Sequence, residues 1–172
     1  MMAAKKASKK PSKKLSAKSS RKMPALFTIG YEQAKPAVVL DELKRAKVDL
    51  LVDTRAVAAS RRPGFSKRQL AASLDEIGIP YLHLQKLGTP AQGRAAAKTG
   101  DLDTLWRIYD KHIKTRDAQE ALGELVTLIK SGKRVALLCY CRNPNTCHRS
   151  RIVANVKKRT SVKVEDLIPP LF

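Results

Sequence analysis

Aromatic residues are scarce in this chain: Phe, Trp and Tyr together make up 5% of its 172 residues. That leaves little apparatus for stacking on bases, and no RNA-binding strand motif is present. Cysteine is scarcer, with three residues all confined to positions 139–147. No apolar run approaches the roughly 20 residues that a membrane span needs, and no signal-type apolar segment follows the basic start. The expectation is therefore a cytoplasmic chain without membrane association. Its cysteines should then be thiols or metal ligands rather than disulfides. Acidic residues are missing altogether from residues 1–22, and no internal repeat is visible.

What is present is positive charge, +20 formally. Nine of the 35 basic residues fall in 1–22, which leaves 26 against all 15 acids, a net +11 for the remainder. The first 22 residues are mostly Lys, Ser and Ala. They cannot bury enough surface to offset chain entropy and are expected to be a disordered basic tail. Such a polycation contacts nucleic-acid phosphates without reading sequence; a solubility tail or a targeting segment are the alternatives. With 43% apolar content, residues 23–172 suit a single domain with its own core.

Within that domain, strand-like and helix-like patterns alternate. Leu26–Gly30 reads as a short strand, and Pro36 opens a helical pattern through Val39, Leu40, Leu43 and Ala46. Asp49–Asp53 is the continuous apolar run of a buried parallel strand. Ser66–Gln69 has capping-box spacing before a helix that Gly78 stops, and Ile79–Leu84 is a third strand. Leu87–Thr99 reads as a loop. Helical spacing returns at Leu102–Ile113, with Trp106 a packing or lid residue, and again from Asp117 to Gly132. A strand at 134–138, a helix from about Cys147 to Arg159 and a strand at 162–167 complete the chain. This alternation predicts an α/β fold of three layers, a mostly parallel sheet with helices on both faces.

In such sheets, ligands sit beyond the carboxyl ends of the strands. The chemistry-bearing residues gather there: Tyr31 after the first strand, Asp53 and Arg55 after the second, His83 at the third, and Cys139 to Ser150 after the fourth. Arg55 suits an anion clamp and Asp53 an orienting or general-base carboxylate. If the strand continues, the two are expected to point to opposite sides and so are not automatically partners; a buried ion pair fixing the loop is the alternative. Arg61 and Arg62 either line the same mouth or form a charged surface turn. His83 is an acid–base candidate for neutral pH or a hydrogen-bonded core residue, while His112 reads as surface.

Strand, loop and helix N-terminus around Cys139, Cys147, His148, Arg149 and Ser150 make a receptive place for an anion, and one that acidifies thiols. A phosphatase-type loop would need a cysteine six residues before Arg149, but Asn143 stands there. C-x-C-x5-C-H lacks the paired C-x2-C knuckles of structural zinc sites. Cys147 and His148, adjacent on one helical turn, would also point apart. No residue is assigned as a metal ligand and no cofactor is expected. The bland alternative for Cys139 is a small buried apolar residue.

Thr28-Ile-Gly-Tyr31, Val52-Asp-Thr-Arg55, Ser60-Arg-Arg-Pro-Gly-Phe65-Ser, Tyr81-Leu-His83, Leu87-Gly88, Gly93-Arg94 and Leu137-Leu-Cys139…Cys147-His148-Arg149 resemble, in order and spacing, the bacterial "domain of unknown function 488" family. The resemblance spans roughly residues 26–170. It implies an α/β domain in which Tyr31, Asp53, Arg55, His83, Cys139, Cys147, His148 and Arg149 converge. The family usually carries an acid where this chain has Cys141, and often a proline where it has Ala58.

Three functions compete. The first is an enzyme on an anionic substrate, with Tyr31, Arg55, Arg61, Arg149 and Ser150 binding the anion and Asp53, His83, Cys139, Cys147 and His148 supplying chemistry. The second is a nucleic-acid-binding module that relies on the tail. The third is a thiol redox or zinc-holding protein. The expected partner is an anionic small molecule or a nucleic acid.

Overall fold

The computed structural model describes residues 23–171. The basic segment 1–22, with its expected disorder and phosphate contacts, lies outside the described residues. Five strands form one sheet: β1 (Ala25–Gly30), β2 (Leu50–Asp53), β3 (Tyr81–His83), β4 (Val135–Cys139) and β5 (Lys163–Leu167). Their order is β3-β2-β4-β1-β5, and every neighbouring pair is parallel. Six helices surround it: α1 (Pro36–Arg45), α2 (Lys67–Glu76), α3 (Ala91–Lys98), α4 (Leu102–His112), α5 (Arg116–Lys130) and α6 (Arg149–Lys157).

The central strands read as apolar runs because both of their faces are covered. Leu50, Val52, Val135 and Leu137 point into a core shared with Tyr109, Leu122, Leu125, Ile129, Ile152 and Val156 of α4, α5 and α6. Leu51, Ala136, Leu138, Phe27 and Ile29 point the other way, against Val39, Leu43, Leu70 and Leu74 of α1 and α2. Each fully buried Leu, Val or Ile contributes about 1.5–3 kcal/mol over the same side chain in water. The two cores together hold the sheet between two helical layers, the three-layer α/β architecture that the pattern predicts.

Several local expectations need correction. Residues 87–99 are not a loop: a 3₁₀ turn at Gln85–Leu87 leads into α3, whose alanine-rich sequence has high helix propensity. Ser66 stands at the start of α2 but makes no capping bond there. Its hydroxyl pairs with the backbone of Ser60 instead. Helix α5 is capped by Thr115, two residues before the expected box start at Asp117, through the amide of Ala118. Trp106 is half-buried, with the Arg151 guanidinium 4.5 Å from its ring centroid. No helix among the described residues is long and apolar enough to cross a membrane.

Candidate functional site

Parallel strands put all their carboxyl ends on one rim. Gly30 lies opposite Cys139, and Asp53 lies opposite both Leu138 and His83. The ladder runs on beyond the strands, the amides of Tyr31 and Glu32 donating to the carbonyls of Cys139 and Tyr140. Four chain segments therefore meet where the sequence places them. Their side chains do not form one constellation. Strand alternation sends them to opposite sides of the sheet, into two separate clusters.

On the α1–α2 side lies a saturated ionic network. Arg55 grips Asp53 through Nε (2.9 Å to Oδ1) and Nη2 (2.6 Å to Oδ2). Its Nη1 donates to the Tyr31 hydroxyl and to the Phe65 carbonyl, each at 2.8 Å. Tyr81 donates to the other side of the pair, 2.5 Å from Asp53 Oδ2. Tyr31 stacks on Phe65 with ring centroids 4.2 Å apart. Asp53 is fully buried and Arg55 nearly so. Burial works against the Arg55 charge, but the Asp53 carboxylate outweighs it and holds the guanidinium charged. Burial, and then the bond to Asp53, pushes the Tyr81 phenol above its ordinary range.

Of the two alternatives for Arg55, the geometry is that of the buried pair fixing the loop. Nearly all of its donors are spent inside the protein. The expectation that Asp53 and Arg55 point to opposite sides fails, because residues two apart along extended backbone share a face, and Arg55 folds back on Asp53. His83 belongs to the same assembly: its Nε2 donates to the Arg55 carbonyl at 2.8 Å. Arg61 is exposed on the loop that this network pins down.

On the α4–α6 side lie the sulfurs. The Sγ atoms of Cys139, Cys141 and Cys147 all fall within 4.8 Å of one another. His148 presents Nδ1 3.6 Å from both Cys139 Sγ and Cys147 Sγ. Cys147 and His148 do not point apart, because the helix begins at Arg149 rather than at Cys147. Cys147 is extended (φ −115°, ψ 145°) and His148 is the first residue with helical angles (φ −55°, ψ −19°). That change of backbone conformation between neighbours aims both side chains at one point.

Thr54, which the sequence reading overlooked, sets the imidazole. Its hydroxyl gives its one proton to the Leu138 carbonyl at 2.8 Å, so it accepts from His148 Nε2 at 3.1 Å. The Thr54 carbonyl accepts from the same nitrogen at 3.0 Å. With Nε2 donating to Thr54, Nδ1 is the ring nitrogen that faces the sulfurs. Alternation along β2 was the available clue: Thr54 follows Asp53 and so faces the opposite side.

Arg149 closes the cluster from behind. Its Nε donates to Cys147 Sγ at 3.2 Å, its Nη1 to Thr28 Oγ1 at 3.4 Å, and its Nη2 to the Cys141 carbonyl. Cys141 passes so close to β1 that a Cβ on Gly30 would lie 1.9 Å from the Cys141 carbonyl oxygen, which only glycine allows. Arg149 is 1% exposed and has no carboxylate within ion-pair distance among the described residues. A guanidinium buried in this way needs compensating negative charge nearby, and sulfur is the neighbour that supplies it.

The ionisation tendencies agree. Burial opposes the Cys147 thiolate, yet bonds from the Cys139 and Cys141 thiols and the adjacent His148 drive its pKa well below the usual cysteine range. Burial also opposes a charged His148, but the Cys139 and Cys147 sulfurs outweigh it and raise the imidazole well above its ordinary value. Hydrogen bonds with Cys139 and Cys147, followed by burial, keep Cys141 protonated. Ser150 stands outside this chemistry, its hydroxyl donating to the Cys147 carbonyl at 2.9 Å. It lines a hollow of about 170 Å³ with Thr28, Lys157 and Asp166.

The family model described as a domain of unknown function, DUF488, matches residues 35–156. The chain belongs to the DUF488 family. The matched span takes in both clusters, apart from Tyr31 and the β1 residues that back the sulfurs. No curated protein and no solved structure matches the chain. Among the described residues of this DUF488 domain, the three sulfurs are a group of ligand atoms close enough together to hold one ion.

Proposed function

We propose that this DUF488 domain holds a thiophilic divalent ion of the Zn²⁺ class between Cys139, Cys141, Cys147 and His148. One observation carries this reading: three sulfurs within 4.8 Å of one another, with an imidazole nitrogen 3.6 Å from two of them. A tetrahedral ion with bonds of about 2.3 Å to sulfur and about 2.0–2.1 Å to nitrogen spaces its N and S ligands about 3.6 Å apart. The support around the imidazole fits as well. Histidines that bind metal commonly donate their other ring N–H to a backbone carbonyl, as His148 does to Thr54.

Charge supports the same assignment. An ion would displace the protons that Cys141 and His148 hold in its absence; three thiolates, a neutral imidazole and a divalent cation then sum to one negative charge, which the buried Arg149 offsets. Cys139 and Cys147 are buried and Cys141 half-buried on the connecting loop, so Cys141 is the ligand at the solvent side. An ion held by four protein ligands supplies structure rather than Lewis acidity. It would tie the β4–α6 loop to β1 and β2.

The anion-clamp reading loses support from the same geometry. Arg55 and Arg149 lie on opposite sides of the sheet, and both direct their donors at protein atoms. The test is metal analysis of the full chain purified under reducing conditions, followed by titration with Co²⁺. About one ion per chain is expected, with thiolate-to-cobalt charge-transfer bands that Cys139→Ser and Cys147→Ser abolish and His148→Ala weakens. A chain that carries no metal and gives no cobalt spectrum overturns the proposal. If its sulfurs instead form a disulfide under peroxide, the redox reading takes its place.

A further inference from the structure

The segments that close the rim carry an unbalanced charge. Residues 31–35, 54–68 and 140–143 close the rim on its α1–α2 side, and Glu32 is their one carboxylate outside the buried network. That carboxylate accepts from the Arg142 amide. Against it stand Lys35, Arg61, Arg62, Lys67, Arg68 and Arg142. Lys35, Arg61, Lys67 and Arg68 are exposed, and none of the six has a carboxylate partner within 4.0 Å among the described residues. Helices α1 and α2 begin here with no acidic residue in the first turn and no side-chain cap. Their free amides therefore add to the positive field.

An aromatic ring stands in this field. Tyr140, between Cys139 and Cys141, is 46% exposed. It is held edge-on by Tyr31 with centroids 5.4 Å apart, and Arg62 lies within electrostatic reach of its phenol. Val57 is exposed on the loop between β2 and α2. By contrast, the hollow next to His83, on the α5 side, is lined by Asp117, Glu120 and Glu124 against one basic residue, Lys86, which is paired with Asp117. An extended anion would be drawn to one side of the rim and turned away from the other.

We infer that this rim binds single-stranded nucleic acid, with phosphates on Lys35, Arg61, Lys67 and Arg68 and a base stacked on Tyr140. Exposed, unpaired basic side chains and an exposed ring on one rim are the two components of a sequence-tolerant single-strand site. The inference concerns the folded domain rather than residues 1–22, and it does not depend on whether the sulfurs hold an ion.

The test is fluorescence anisotropy of the full chain with a labelled oligothymidine of about 12 nucleotides, within the range one small domain covers, across a salt series. An Arg61→Ala, Lys67→Ala, Arg68→Ala triple variant should bind at least tenfold more weakly near 0.15 M salt, roughly physiological ionic strength. Its salt slope should fall by about 2, from three lost contacts at about 0.7 each. Tyr140→Ala should weaken binding about tenfold with the slope unchanged, since stacking carries no counterion release. Wild-type affinity in both variants would assign all binding to residues 1–22 and overturn the inference. So would equal affinity for a duplex with no effect of Tyr140→Ala. Metal content measured on the same samples separates this outcome from failure of the ion proposal.

Discussion

The two clusters at the rim are built from neighbouring residues and differ in one respect. Around Asp53 and Arg55, strong donors meet strong acceptors, and nearly every hydrogen-bonding capacity is used within the protein. Around Cys139, Cys141 and Cys147, three weak and polarisable acceptors crowd together with a single imidazole and a single guanidinium. The first arrangement is complete without any ligand, and it fixes the β2–α2 loop. The second brings three soft donor atoms within 4.8 Å of one another, where the proposed cation would satisfy them better than another hydrogen bond can. Burial alone does not separate a structural polar cluster from a functional one; unmet capacity does.

The sharpest way to break the comparison is to remove one partner from each side. Asp53→Ala leaves Arg55 buried and uncompensated, and should cost about 3–5 kcal/mol in urea unfolding. That loss should be the same with or without added zinc. A change under about 1 kcal/mol would show that the network is not complete in itself.

The sulfur side should behave in the opposite way. Adding zinc to about 100-fold over its dissociation constant should stabilise the wild-type chain by about 2.7 kcal/mol, and a chelator should reverse the effect. In Cys147→Ser neither treatment should shift the urea midpoint. Identical midpoints with zinc and with chelator in the wild type would erase the distinction between the clusters.

The smallest effect is in alkaline solution. Tyr81 has its phenol pKa raised in the folded state, by burial first and then by Asp53. A raised folded value favours the fold fully below the unfolded tyrosine pKa of about 10. The contribution then fades as pH climbs past that point, because the unfolded chain loses the proton first. Tyr81→Phe should therefore cost about 1 kcal/mol at neutral pH, the net value of one hydrogen bond, and should flatten the decline above pH 10. An unchanged alkaline limb would remove Tyr81 from the network.

Much of the fold was legible in the residues. Asp49–Asp53 and Val135–Leu138 read as buried parallel strands because both faces of the sheet are covered, and the rim followed from parallelism. What escaped was the side on which each residue falls. Asp53 and Thr54 are neighbours in sequence, yet one serves the ionic network and the other the sulfurs. Spacing alone puts Cys147 and His148 on one helical turn, pointing apart, because a helix start cannot be placed to one residue from sequence. The backbone changes conformation at that very step. Cys141 falls in the C-x-C-x5-C-H run, but spacing alone cannot tell that its side chain turns inward to bring its sulfur within 4.8 Å of the other two.

Gly30 carries no functional group and touches no sulfur, yet it governs the site's dimensions. The space that a methyl group would take there is already filled by the peptide of Cys141. Any larger residue would act as a wedge, levering the loop outward and pulling one corner of the cage away from the other two. In this sense the site includes an atom that is not there, and its tightness is set by a hydrogen on the neighbouring strand.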